Sequence, residues 1–194
     1  MGTTIRSIET ETLLDGTHNI KIVADNFVFN TEESGNNIFF FKIGAMYSLE
    51  NKQTELSTEL SFPINIPSGT YGVSVRNNNI STNENSDTFT FTYTAPTPTI
   101  STINFTQLED GRGTIDISGM YFSTEEDGNT IVFANSDEPV PYAELFIQAQ
   151  STTELSFTSD IFMPSGTYSS VTVRNNITNM ISVPNTSFDY IFQS

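Results

Sequence analysis

Pro67-Ser68-Gly69-Thr70-Tyr71 is followed by the alternating run Gly72-Val73-Ser74-Val75-Arg76-Asn77-Asn78, and the whole pattern returns one domain length later. Pro164-Ser165-Gly166-Thr167-Tyr168 repeats its first half, and Val173-Arg174-Asn175-Asn176 repeats its end. Proline fixes φ at a turn, and glycine is expected there for a positive φ. Tyr71 and Tyr168 then open strands whose apolar residues recur with a period of two, ring inward and hydroxyl near the sheet end. Working outward, Thr58-Glu59-Leu60-Ser61-Phe62 recurs as Thr153-Glu154-Leu155-Ser156-Phe157, and Glu32-Glu33-Ser34-Gly35-Asn36 matches Glu125-Glu126-Asp127-Gly128-Asn129. Four blocks in the same order, offset by 93 to 98 residues, mark an internal duplication.

Thr94-Ala95-Pro96-Thr97-Pro98-Thr99 lies between the copies. Two prolines so close favour an extended, stiff connection. The reading is two domains, residues 1–95 and 96–194, each of a size normal for a β-sandwich. Alternation continues through Ile20, Ile22 and Ala24, through Phe89, Phe91 and Tyr93, and through Ile115 and Ile117. It recurs at Ile131 and Phe133, at Leu155 and Phe157, at Val171 and Val173, and at Phe188, Tyr190 and Phe192. No long segment has a helical period. Val140 to Gln150 is the least strand-like stretch, where a short helical turn would fit, and Ile43 to Lys52 reads as a loop insertion particular to the first copy.

Composition agrees with an all-β chain. The 194 residues include 16 Phe and 7 Tyr, enough aromatic area for two small cores. Thr, Ser and Asn supply about a third of the residues, suiting strand surfaces and turns. Seven basic against 23 acidic side chains give a net charge of −16, which disfavours contact with nucleic acid phosphates. Cysteine is absent, so disulfides, thiolate metal sites and cysteine nucleophiles are excluded. The N-terminus lacks the apolar core of a signal peptide, and no segment approaches a membrane-spanning length. The expectation is an unprocessed product made in a host cytoplasm, with no membrane partner.

The repeated blocks resemble the IPT/TIG family of immunoglobulin-like domains. The second copy carries the resemblance through Pro98-Thr99-Ile100-Ser101-Thr102-Ile103, Ile115-Asp116-Ile117-Ser118-Gly119-Met120-Tyr121-Phe122, Asn129-Thr130-Ile131-Val132-Phe133 and the Pro-x-Gly-x-Tyr block. The first copy matches through Ile20 to Phe27, Asn37 to Phe40 and Pro67 to Val75, departing at Asn26. The resemblance implies two tandem immunoglobulin-like β-sandwiches, as found in bacteriophage structural proteins and bacterial surface proteins. Pro67, Gly69, Tyr71, Pro164, Gly166 and Tyr168 are then residues of the fold motif.

Candidate sites are few. Glu32-Glu33 and Glu125-Glu126-Asp127 lie at equivalent turns; a calcium site and a solvated loop both fit, and the spaced ligands of an EF-hand loop are missing. Adjacent acids on a turn do not supply the fixed separation of a hydrolase pair. His18, the sole histidine, follows Asp15-Gly16 and is expected on the surface of a turn. Arg76 and Arg174 are expected to pair with carboxylates or cap strand ends. Asn79, Asn104, Asn176 and Asn185 begin glycosylation triplets, which carry no assignment without a secretory leader. Neither catalytic residues nor a cofactor or metal is expected.

Ile38-Phe39-Phe40-Phe41 is more informative. With Phe40 inward, Phe39 and Phe41 point outward. Phe39, Phe41, Met46 and Tyr47 form the expected partner-binding set, with Ile43 nearby; the equal alternative is that the insertion folds back and covers this edge. The expected class is a non-enzymatic virion protein that docks on other capsid or tail proteins, preferably a capsid decoration or accessory protein and otherwise a neck or tail fibre component. A host-surface glycan is a second candidate partner, and self-association is left open. The alternative is a carbohydrate-binding or adhesion module of a bacterial surface protein, with Tyr47, Tyr121 and Tyr142 as a sugar platform.

Overall fold

A computed structural model describes residues 4–13, 17–79, 84–108, 113–134, 143–159, 166–168, 170–185 and 188–190. Those residues form strands and turns, without a helix. The chain divides into two compact units that meet in sequence at Ala95 and Pro96.

Among the described residues, seven strands build the first unit: β1 (Thr4–Thr12), β2 (His18–Asp25), β3 (Asn36–Lys42), β4 (Ala45–Lys52), β5 (Glu59–Pro63), β6 (Gly69–Asn77) and β7 (Phe89–Tyr93). They pair antiparallel in two sheets, ordered β1-β2-β5 and β4-β3-β6-β7. Each strand turns alternate residues inward. Ile20, Ile22, Leu60 and Phe62 come from the three-stranded sheet, and Ile38, Phe40, Tyr71, Val73 and Val75 from the four-stranded sheet; all are buried. Burying one such side chain stabilises by about 1.5–3 kcal/mol, so this face is what holds the sheets together.

In the second unit, β8 (Thr99–Gln107), β9 (Gly113–Met120) and β12 (Glu154–Ser159) form one sheet in the order β12-β9-β8. The other sheet contains β10 (Asn129–Ala134), β11 (Ala143–Ile147), β14 (Ser170–Asn175) and β15 (Met180–Ile181), ordered β11-β10-β14-β15. A short pair, β13 (Gly166–Tyr168) and β16 (Phe188–Tyr190), sets Gly166 opposite Tyr190, as Gly69 is set opposite Tyr93 in the first unit. Ile115, Ile117, Phe122, Ile131, Phe133, Leu155, Tyr168, Val171 and Val173 share one buried cluster that draws on both sheets. Each unit is thus an all-β, immunoglobulin-like sandwich with antiparallel sheets.

Two sequence expectations are corrected. Ile43 to Lys52 is not a loop insertion: after a turn at Ile43-Gly44 it forms β4, which pairs with β3 along its length. Met46, Ser48 and Glu50 are exposed while Tyr47 and Leu49 are half-buried, so the stretch obeys the period of two. Gly44 takes φ +82 in open space, which lets the hairpin close tightly. Val140 to Gln150 likewise contributes β11, the counterpart of β4, rather than a helical turn.

The duplicated asparagines have structural work. Asn36 and Asn129 are fully buried. Asn36 Oδ1 accepts from the Asn30 amide (2.8 Å), while its Nδ2 donates to the carbonyls of Asn30 and Lys52 (both 2.9 Å). Asn129 does the same with the Ser123 amide and the carbonyls of Ser123 and Ile147. Asn77 and Asn175 tie a second loop, donating to the carbonyls of Val28 and Tyr121 and accepting from the amides of Asn79 and Ile177.

Candidate docking face

Tyr71 anchors the motif that decides the fold. Its ring is fully buried, edge-on to Phe40 at 6.2 Å and to Tyr47 at 6.0 Å, with Lys42 Nζ 4.9 Å from its centroid. Its hydroxyl donates to the Pro67 carbonyl at 2.6 Å. Gly69 begins β6 without the positive φ expected from the motif; among the described residues Gly35 and Gly44 are the glycines in that region. A Cβ at Gly69 would lie 3.1 Å from Lys42 Nζ, the mobile end of a long side chain, so crowding there is mild. Tyr168 is buried against Phe133, edge-on at 6.1 Å, whereas Pro164 lies outside the described residues.

The outward face of β4-β3-β6-β7 follows from register. Phe41 lies opposite Met46 on one side and Gly72 on the other, so all three share a face. Phe39, opposite Ser48 and Ser74, lies on the same face. Phe41 is 39% exposed, Met46 69% and Ile43, at the hairpin tip, fully exposed; Phe39 is half-buried. Arg76 is exposed on this face, two positions beyond Ser74. Part of Phe41's placement is structural, because its ring covers Gly72: a Cβ there would come within 2.3 Å of the Phe41 ring.

Tyr47 does not belong to this face. It lies opposite buried Phe40, and opposite residues share a side, so its half-buried ring turns to the core and meets Tyr71. A sequence position inside a supposed loop could not reveal that parity. Ile43 was legible only as a neighbour, because its exposure depends on the hairpin closing at Gly44. The proposed sugar platform loses Tyr47 for the same reason; Tyr121 is half-buried with φ 64, and Tyr142 lies outside the described residues.

His18 is no surface turn residue. It opens β2, sits half-buried 5.7 Å from the Tyr93 ring, and its Nδ1 is 3.1 Å from Thr12 Oγ1. Burial pushes its pKa below the ordinary 6.5, because it penalises the charged imidazolium. Burial also raises the Tyr93 phenol, with a smaller push from Tyr71. The unfolded chain therefore takes up the His18 proton first as pH falls. Stability from the neutral imidazole is present above about 6.5 and is lost below it. Wild type is expected to lose stability relative to His18→Gln as pH falls from 7 to 5, measured by denaturant unfolding.

At the acidic turns, Gly35 N–H donates to the Glu32 carbonyl and Gly128 N–H to the Glu125 carbonyl, leaving Glu32, Glu33, Glu125, Glu126 and Asp127 exposed. Among the described residues, no three His, Cys, Asp or Glu converge as a metal-holding group. Arg174 Nε donates to Asn176 Oδ1 at 3.2 Å. A cleft of about 420 Å³ in the first unit is lined by Thr31, Gln53, Thr54 and Glu55.

No protein-family model matches the chain, and no curated protein matches it either. Among solved structures it is similar to the FN1–FN3 domains of chicken CNTN1, at 14% identity and TM-score 0.37, covering all of this chain and 65% of that one. It is similar to a segment of two fibronectin type-III domains from chicken tenascin, at 13% identity and TM-score 0.38, with 96% of this chain and 99% of that one covered. A cytokine receptor complex matches at 10% identity and TM-score 0.36, over 96% of each chain.

Proposed function

We propose that the protein is a non-enzymatic structural component of a bacteriophage particle, a capsid decoration or accessory protein that docks through its first unit on another virion protein and displays its immunoglobulin-like domains. The observation that carries the docking part is the outward strip of Phe39, Phe41, Ile43 and Met46 on the four-stranded sheet. Exposed apolar side chains grouped on one face favour a protein partner. The same hairpin, residues 36–52, holds two lysines against one glutamate in a chain of net charge −16, so it is repelled by an acidic neighbour less than the chain as a whole. The virion setting rests on the family resemblance of the repeated blocks.

Mass spectrometry of purified particles tests this reading. A copy number in the tens to hundreds is expected for decoration of the capsid. A low copy number moves the protein to the neck or tail, and absence from particles overturns the proposal. Phe39→Ser with Phe41→Ser is expected to weaken binding to particles at least tenfold, equivalent to losing about 1.4 kcal/mol, and so to lower occupancy. Because Phe41 also covers Gly72, thermal melting of the free variant must show that it is folded. Unchanged occupancy would remove this face from the interface.

A further inference from the structure

We propose that β4 is a self-pairing edge: two copies join their first units by antiparallel addition of β4 to β4, with Ser48 on the two-fold axis. Among the described residues, β4 pairs on one side with β3 and ends the β4-β3-β6-β7 sheet on the other. Unpaired strand edges are templates for another strand unless charge, proline or shortness guards them. Charge or proline guards two other edges of the first unit, and the third, β7, is shorter than β4. β1 carries Arg6, Glu9 and Glu11; β5 has five residues, ends in Pro63 and places Glu59 in an ion pair with Lys21 at 2.7 Å; β7 has five residues. β4 runs for eight residues, and Ala45-Met46-Tyr47-Ser48-Leu49 carries no charge.

The occupant follows from the pattern of β4 itself. When Ser48 faces its own copy, Tyr47 lies opposite Leu49 of the second copy and Leu49 opposite its Tyr47. Both are half-buried on the core side, where they form the open margin of the first unit's core. Met46 lies opposite Glu50 on the solvent side. Pairing of residues with equal parity keeps each face of the joined sheet continuous. The axis holds two small hydroxyl side chains, and the two hairpins that meet bring a slight excess of lysine rather than the acidity of the rest of the chain.

The inference is independent of the virion reading. A single strand pair buries little surface, so the dimer is weak and concentration-dependent. Sedimentation of the full chain from micromolar to millimolar concentration is expected to show a monomer–dimer equilibrium, abolished by Ser48→Glu with an unchanged melting temperature. The chain lacks cysteine, which makes a register test direct. Opposed residues have Cα atoms about 4.5–5.5 Å apart, within disulfide reach. Ser48→Cys should oxidise to a covalent dimer at dilutions where Met46→Cys, about 14 Å from its own copy in this register, stays monomeric. A monomer at every concentration, or equal cross-linking of the two variants, overturns the proposal.

Discussion

Asn36→Ala is expected to destabilise the first unit by about 3 kcal/mol or more, which for a domain of this size lowers Tm by about 12 °C or more. The side chain is fully buried and makes three hydrogen bonds, one accepted and two donated. Truncation leaves the Asn30 amide and the Asn30 and Lys52 carbonyls without this partner. Each buried polar group left unsatisfied costs about 1–3 kcal/mol. Asn36→Asp preserves shape and the acceptor but loses both donors and introduces a charge where none can be solvated, so it should be no milder. Asn129→Ala is the matched experiment in the second unit, with the Ser123 amide and the Ser123 and Ile147 carbonyls left behind. Denaturant unfolding that shows less than about 1 kcal/mol lost in both variants would mean that water or backbone adjustment replaces the amide.

Tyr71→Ala has the other large effect, about 3–5 kcal/mol, the usual range for removing a large buried ring. The ring is fully buried against Phe40 and Tyr47, and its hydroxyl fastens the start of β6 to Pro67. Tyr71→Phe separates the two contributions: it keeps the ring and loses one hydrogen bond, so about 1 kcal/mol is expected. A Phe variant as unstable as the Ala variant would assign the motif's strength to the hydroxyl; an Ala variant near wild type would show that the core closes over the gap.

The two cases differ in how far the sequence discloses them. Tyr71 and Tyr168 stand in repeated blocks at the start of alternating runs, so their inward direction was readable from period alone. Asn36 and Asn129 are repeated too, within Gly-Asn pairs, but nothing local distinguishes a buried network asparagine from a turn asparagine. Their partners Lys52 and Ile147 lie 16 and 18 residues away, across a neighbouring strand. Tyr47 shows the same limit for the docking face. Its side of the sheet was fixed once β3 and β4 paired with Phe40 opposite Tyr47.

By itself the sequence determined that the chain is all-β, that it is duplicated, and, in the alternating runs whose side chains are described, which residues face a core; the run Phe188, Tyr190 and Phe192 lies outside them. Side-chain alternation is a property of a single extended strand, so a period of two needs no knowledge of the partner strand. Tertiary structure alone decided that residues 45–52 are an edge strand and that Tyr47 turns inward while Ile43 and Met46 stay exposed. It also decided that Gly69 begins β6 without a positive φ and that the repeated asparagines hold loops to strands. Each of these depends on register between segments distant in sequence, and register is set by the packing of the whole sandwich.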